Sequence, residues 1–124
     1  MAAELHVELV AADRSVWSGE ATLVVARTTS GDIGVMAGHQ PLLGVLESGP
    51  VTIRTSEGGT VVAAVHGGFI SFADNKLSLL AEVAELSDEI DVQRAERELE
   101  RAKADGDASA ERRADVRLRA VSTS

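Results

Sequence analysis

The chain has 124 residues, 44% of them hydrophobic, which is room for one compact domain and a small appendage. A net charge of −8 argues against a nucleic-acid backbone as partner, since phosphate binding calls for clustered Lys and Arg, and the lack of cysteine removes disulfides and thiolate metal sites. The only aromatics are Trp17, Phe69 and Phe72, so Val, Leu, Ile and Ala must fill the core, and Val and Ile favour pleated structure.

The opening residues Met1 to His6 show neither a basic start nor an apolar run of signal-peptide length. No stretch approaches the roughly 20 apolar residues of a membrane span, so a cytosolic setting is expected, with any membrane association made through another protein. Alternation of Leu5, Val7 and Leu9 with His6, Glu8 and Val10 predicts a half-buried strand, and Asp13-Arg14-Ser15 turns the chain. Trp17 is expected as a lid on the end of the fold. After a break at Ser18-Gly19-Glu20, Ala21 to Ala26 reads as a second strand covered on both faces.

The stretch from Ser30 to Leu43 sets three glycines and Pro41 among Ile33, Val35, Met36, Leu42 and Leu43. Glycine permits backbone angles that other residues resist, and proline removes a ladder donor, so a bent path is expected here, with apolar side chains that plug a core or meet a partner. Glu47 to Pro50 signals a turn into an alternating strand, Val51 to Thr55. Gly58-Gly59 suits a tight hairpin into Thr60 to His66, and Gly67-Gly68 is expected to break the next junction. Asp74-Asn75 suits a hairpin between Phe69 to Ala73 and Lys76 to Glu82. Many short strands with no crossover helix indicate an antiparallel β-sandwich or flattened barrel.

Residues 1–86 hold 10 acidic and 4 basic side chains, and residues 87–124 hold 10 and 8, so charge density rises sharply near Ser87. A domain boundary is expected there. Beyond it the period becomes helical: Val92, Ala95, Leu99 and Ala102 form one stripe, Gly106 stops the run, and Asp107 or Ser109 caps a second helix with Ala110, Ala114, Leu118 and Val121 near one side. The fold class is therefore α+β and mainly β, an N-terminal antiparallel sandwich over 1–86 followed by a two-helix antiparallel hairpin over 87–124. Because the hairpin's inner stripe is mostly alanine, and burial contributes about 0.8 kcal/mol per methylene, its docking is expected to be weak.

His6, His39 and His66 are not spaced as metal ligands, and no nucleophile elbow or phosphate loop occurs. His39 is expected to brace a loop or an interface. The chain alone is not expected to catalyse a reaction, and no cofactor is required.

Four ordered motifs carry a family resemblance. Gly31-Asp32-Ile33-Gly34 with Gly38-His39-Gln40-Pro41-Leu42-Leu43, then Val65-His66-Gly67-Gly68-Phe69-Ile70, Leu79-Leu80-Ala81-Glu82 and Ile90-Asp91-Val92-Gln93-Arg94-Ala95, resemble the epsilon subunit of bacterial F-type ATP synthase over nearly the whole chain. The resemblance implies a non-catalytic rotor subunit in the central stalk, placed on the gamma subunit beside the c-ring at the cytoplasmic face of the cell membrane. It places Asp32 against c-ring loops and His39 at the gamma contact, with Leu42 and Leu43 in an apolar interface patch. Alpha and beta subunits are implied partners of the C-terminal helices, although the second helix is too short for deep insertion into the catalytic head. The family also associates Ile90, Asp91, Arg94 and Ala95, with Glu85 and Arg101, with regulatory ATP. Two readings of Asp91 stay open: a helix N-cap alone, or a cap that also contacts nucleotide. The rival from another class is a free-standing β-sandwich module whose glycine-rich loop lines a small-molecule pocket; a small hydrolase is a third reading.

Overall fold

The alternation begun at Leu5 builds β1 (Leu5–Ala11), in which Leu5, Val7 and Leu9 are fully buried. The structure, a computed structural model, describes residues 3–123; residues 1, 2 and 124, at the outer ends of the two predicted domains, lie outside the described residues. After β1 come β2 (Arg14–Thr28), β3 (Gly31–Val35), β4 (Leu42–Leu46), β5 (Gly49–Thr55), β6 (Thr60–Ala73) and β7 (Lys76–Leu86), then a single 3-10 turn at Ser87–Glu89, α1 (Val92–Asp105) and α2 (Ala108–Thr123). The strands form one seven-stranded sheet that folds back on itself through the β1–β2 pairing, and a single apolar core fills the sandwich. The predicted α+β, mainly β architecture with its helical hairpin is the one observed. One pair departs from the antiparallel expectation: β1 runs parallel to β7, with Val7 opposite Leu77 and Leu9 opposite Leu79.

Several predicted breaks are continuous strand. The chain passes through Ser18-Gly19-Glu20 without turning, because Gly19 has no side chain where the Trp17 ring folds over it; a Cβ there would lie 2.9 Å from the indole. Trp17 packs on the edge of the core as expected of a lid. The bent stretch from Ser30 to Leu43 is two strands, β3 paired with β2 and β4 paired with β6, joined by a turn. Gly49 and Pro50 belong to β5, which leaves the preceding turn to Glu47 and Ser48. At Asp74 and Asn75 the expected hairpin does form, with φ of 54° and 58°.

Gly67-Gly68 also lies inside a strand, and its role is to exchange faces. Before it, Ala63 and Val65 point into the sandwich; after it, Ile70 and Phe72 do, while the pairing of β6 with β7 keeps its register throughout. Positive φ values of 70° and 128° make this twist, and Gly68 is the close approach: a Cβ there would sit 2.0 Å from the Leu80 carbonyl oxygen. The exchange aims Val62, Ala64 and His66 outward under the hairpin, and aims Phe69 outward beyond it.

Asp91 caps α1 by accepting the Arg94 N–H at 3.0 Å, and Gly106 ends it in the left-handed region at φ 68°. Asp107, not Ser109, caps α2, accepting the Ala110 N–H at 3.1 Å. Helix α2 is sandwiched between α1 and the sheet, so its buried residues, Ala114, Val116 and Ala120, are not one stripe. Val116 and Ala120 meet Val62 and Ala64 with Ile90 at their side, a small cluster separate from the main core.

Candidate functional site

Three neighbouring strands set an apolar row on the outer surface of the sheet. Val45 on β4 lies opposite Phe69 on β6, which lies opposite Leu80 on β7, and the three are 46%, 54% and 51% exposed. Leu43, one outward position along β4, is 80% exposed. A shallow concavity of about 560 Å³ beside the row is walled by Val10, Ala12 and the same aromatic edge. Burying such side chains against another apolar surface is favourable by about 25 cal/mol per Å², so the row has the chemistry of a docking face.

Of the predicted interface residues, the structure brings only some together. Leu43 joins the row, but Leu42 points the other way and packs on the core, since successive residues of a strand face opposite sides. The joint assignment of Leu42 and Leu43 to one patch is thus corrected. His39 is half-buried at the end of the sandwich: its ring meets the Phe72 ring edge-on at 5.9 Å, and its Nδ1 lies 2.6 Å from the Gln40 carbonyl. Next to it the Asn75 side chain accepts the Gly38 N–H at 2.7 Å, tying the β3–β4 turn to the β6–β7 hairpin. Asp32 is exposed on β3 and pairs with Arg27 across the ladder at 3.1 Å.

A second cluster forms where β7 hands over to the hairpin. Glu85, Ile90, Asp91, Arg94 and Ala95 share a cavity of about 160 Å³ with Glu89, Glu98 and Arg117. Arg101 lies off it, exposed, about 10 Å further along α1 at 1.5 Å per residue. Every charged group is already engaged: Arg117 binds Glu85 at 2.6 Å and Glu98 at 3.3 Å, Arg94 binds Glu98 at 2.8 Å, and Asp91 holds the helix cap. Arg14, from the start of β2, meets Glu89 at 3.0 Å and lowers that carboxyl's pKa, while Glu89 also accepts the Leu86 N–H. Four carboxylates, Glu85, Glu89, Asp91 and Glu98, face the guanidiniums of Arg14, Arg94 and Arg117 around a space below the roughly 300 Å³ of a small ligand pocket. In this arrangement Arg94 and Arg117 are both paired with carboxylates of the chain. The cluster is a clamp between sheet and hairpin.

Residues 4–87 match the sequence model described as ATP synthase, Delta/Epsilon chain, beta-sandwich domain. The ATP synthase epsilon chain of Streptomyces avermitilis is 93% identical over 122 residues, 98% of each chain, and that of Rhodococcus jostii is 52% identical over 120 residues, 96% of this chain and 97% of the relative. The chain belongs to the ATP synthase epsilon-chain family. In fold it is also similar to a chain in the cryo-EM structure of the Euglena gracilis mitochondrial ATP synthase OSCP/F1/c-ring, with a TM-score of 0.76 at 22% identity over 97% of this chain and 78% of that one.

Sequence reasoning does not find the pairings that join the two parts of this epsilon-family chain, Arg14 with Glu89 and Arg117 with Glu85 and Glu98; it places Arg14 in a turn and reads Arg117 as a charge available to neighbouring subunits. Their partners are remote in sequence, Arg14 being 75 residues from Glu89 and Arg117 being 32 from Glu85, so no local pattern marks them. The outward triad of Val45, Phe69 and Leu80 was hidden because its members alternate with core residues on three separate strands. Among the described residues, no group of three or more His, Cys, Asp or Glu is placed to hold a metal ion, and no helix is long and apolar enough to cross a membrane.

Proposed function

We propose that this chain is a non-catalytic rotor subunit in the central stalk of an F-type ATP synthase, coupling proton-driven rotation to ATP synthesis in the catalytic head. In this reading the sandwich, residues 1–86, is the assembly body, and the hairpin, residues 87–124, is a regulatory arm that meets alpha and beta subunits. The observation that carries it is the exposed row of Val45, Phe69 and Leu80 with Leu43, an apolar face on a stiff hydrogen-bonded sheet whose net charge is otherwise strongly acidic. Transmission of torque needs a body that does not shear, and cross-strand ladders on both sides of β6 supply it.

The row is assigned to the gamma subunit, with His39 at its margin, and exposed Asp32 to polar loops of the c-ring. The chain is thereby held at the cytoplasmic face of the cell membrane through the complex. A relative bearing the epsilon-chain name at 93% identity supports the assignment. The test is reconstitution of complex stripped of this subunit. A Phe69→Asp, Leu80→Asp double variant is expected to keep its melting temperature and to lose co-purification with gamma, alpha and beta. Normal assembly of that variant would refute the docking face. Asp32→Arg is expected to weaken ATP-driven proton pumping, and unchanged pumping would remove its c-ring role.

A further inference from the structure

The ring of His39 is held from two sides. Its edge contact with Phe72, a buried core residue, sets the plane, and the 2.6 Å approach of Nδ1 to the Gln40 carbonyl sets the position of the hydrogen. A carbonyl oxygen only accepts, so Nδ1 carries the N–H, and in the uncharged ring Nε2 is left with a lone pair. That carbonyl has little freedom to turn away, because Gln40 precedes Pro41 and a residue before proline is pushed to extended backbone. Among the described residues, the only buried side-chain nitrogens without a hydrogen-bond partner are those of His66. Nε2 of His39, which has none either, therefore opens to solvent.

The turn that carries His39 is pinned by one side chain. Asn75 Oδ1 accepts the N–H of Gly38, the residue just before His39, at 2.7 Å, and the N–H of His39 itself reaches the Met36 carbonyl at 3.1 Å. Gly38 adopts φ 83° with nothing within 4 Å of where a Cβ would stand, so packing does not fix it. The anchor is itself anchored: Asn75 lies in the left-handed region at φ 58° in the β6–β7 hairpin, and its carbonyl accepts the His6 N–H of β1 at 2.9 Å. Gly, Asn and Asp all tolerate that backbone, and of the three glycine brings no side-chain acceptor. Asn75 thus serves a second turn besides its own.

We propose that Asn75 is a positioning residue that, through Gly38, aims Nε2 of His39 as a hydrogen-bond acceptor at the gamma subunit, where the matching group is an N–H or O–H donor and not a carboxylate. This rests on the placing of His39 at the margin of the gamma-facing row. The aimed lone pair supplies direction that the row lacks. Burial of Val45, Phe69 and Leu80 is favourable at many rotations of a partner, whereas a hydrogen bond is satisfied at few.

The experiment measures the affinity of the full chain for complex stripped of this subunit, with the melting temperature of each free chain beside it. Asn75→Gly keeps the left-handed turn and removes the Oδ1 acceptor. It is expected to melt within about 2 °C of the unmodified chain and to bind about tenfold more weakly. Asn75→Asp keeps both turn and acceptor and is expected to bind within about twofold of the unmodified chain. His39→Phe retains a ring against Phe72 without either nitrogen and should also lose about tenfold. Nitrogen NMR of the His39 ring in the free chain at about pH 8, where a histidine is ordinarily uncharged, should show hydrogen on Nδ1 and none on Nε2. Unchanged affinity in Asn75→Gly or in His39→Phe, affinity that Asn75→Asp fails to keep, a melting temperature of Asn75→Gly that falls in step with its affinity, or hydrogen on Nε2 overturns the assignment. In each of those cases tight binding by the unmodified chain leaves the stalk reading standing. Absence of binding by the unmodified chain overturns that reading and this assignment with it.

Discussion

Val116→Ala tests how the hairpin is held. The apolar contact between α2 and the sheet is limited to Val116 and Ala120 over Val62 and Ala64, with Ile90 at the side. Truncating Val116 removes two methyl groups, about 1.6 kcal/mol at 0.8 per buried carbon, and the gap left behind raises the loss to about 2 kcal/mol. Main-core residues such as Leu77 and Leu79 touch none of this cluster, so the loss falls on undocking and not on unfolding of the sandwich. Every 1.4 kcal/mol is a factor of ten, so amides of Ala114 to Thr123 should exchange with deuterium about thirtyfold faster, while those of Leu77 to Ala81 keep their rate. Hydrogen exchange read by mass spectrometry resolves the two segments. If both speed up by the same factor, sheet and hairpin are one cooperative unit, and the separate docking step argued above is wrong.

Gly68→Ala places a Cβ 2.0 Å from the Leu80 carbonyl at φ 128°, whereas Gly31→Ala at φ 115° meets nothing within 4 Å. The first should cost about 3 kcal/mol or more and lower the melting temperature by about 10 °C, and the second only the backbone strain of about 1 kcal/mol; equal losses would refute the close-approach argument. Asp91→Ala should cost about 1 kcal/mol of stability through the lost cap and Asp91→Asn only a few tenths, measured by urea unfolding. In the same chain, ATP should leave the amides of Asp91 to Ala95 unsaturated at about 1 mM, and saturation at tens of μM would show that the clamp opens for nucleotide. His66, with a pKa near 4 when folded against 6.5 unfolded, binds protons more readily in the unfolded chain, so stability should fall as pH drops from 6.5 towards 4. His66→Gln should flatten that limb; exposed His6, whose pKa is raised by its hydrogen bonds to Glu20 and Glu8, works in the opposite sense, and an unchanged slope in the variant would remove His66 from the account.

Local patterns were legible where the physics is local. Asp74-Asn75 must be a hairpin because both adopt positive φ, and Asp91 and Gly106 bracket α1 through hydrogen bonds to residues within four positions. Glycine was misleading elsewhere, since the same residue answers different needs. At Gly19 it makes room for an indole, at Gly67-Gly68 it lets two paired strands exchange faces, and at Gly31 it supplies the turn that sequence reading expected. Leu42 and Leu43 differ in which side of β4 they occupy, a parity fixed by pairing with Phe72 and Ser71 thirty residues away.

The sequence by itself determined the fold class, the change to helical period after Leu86, the caps of α1 and the family, because periodicity, turn chemistry and ordered motifs reside in neighbouring residues. Tertiary structure alone decided which apolar side chains stay outside, which charges clamp hairpin to sheet, and that His66 is buried without a partner. Those outcomes depend on pairings between strands and helices far apart in the chain, where the fate of one side chain is set by what a distant segment lays over it.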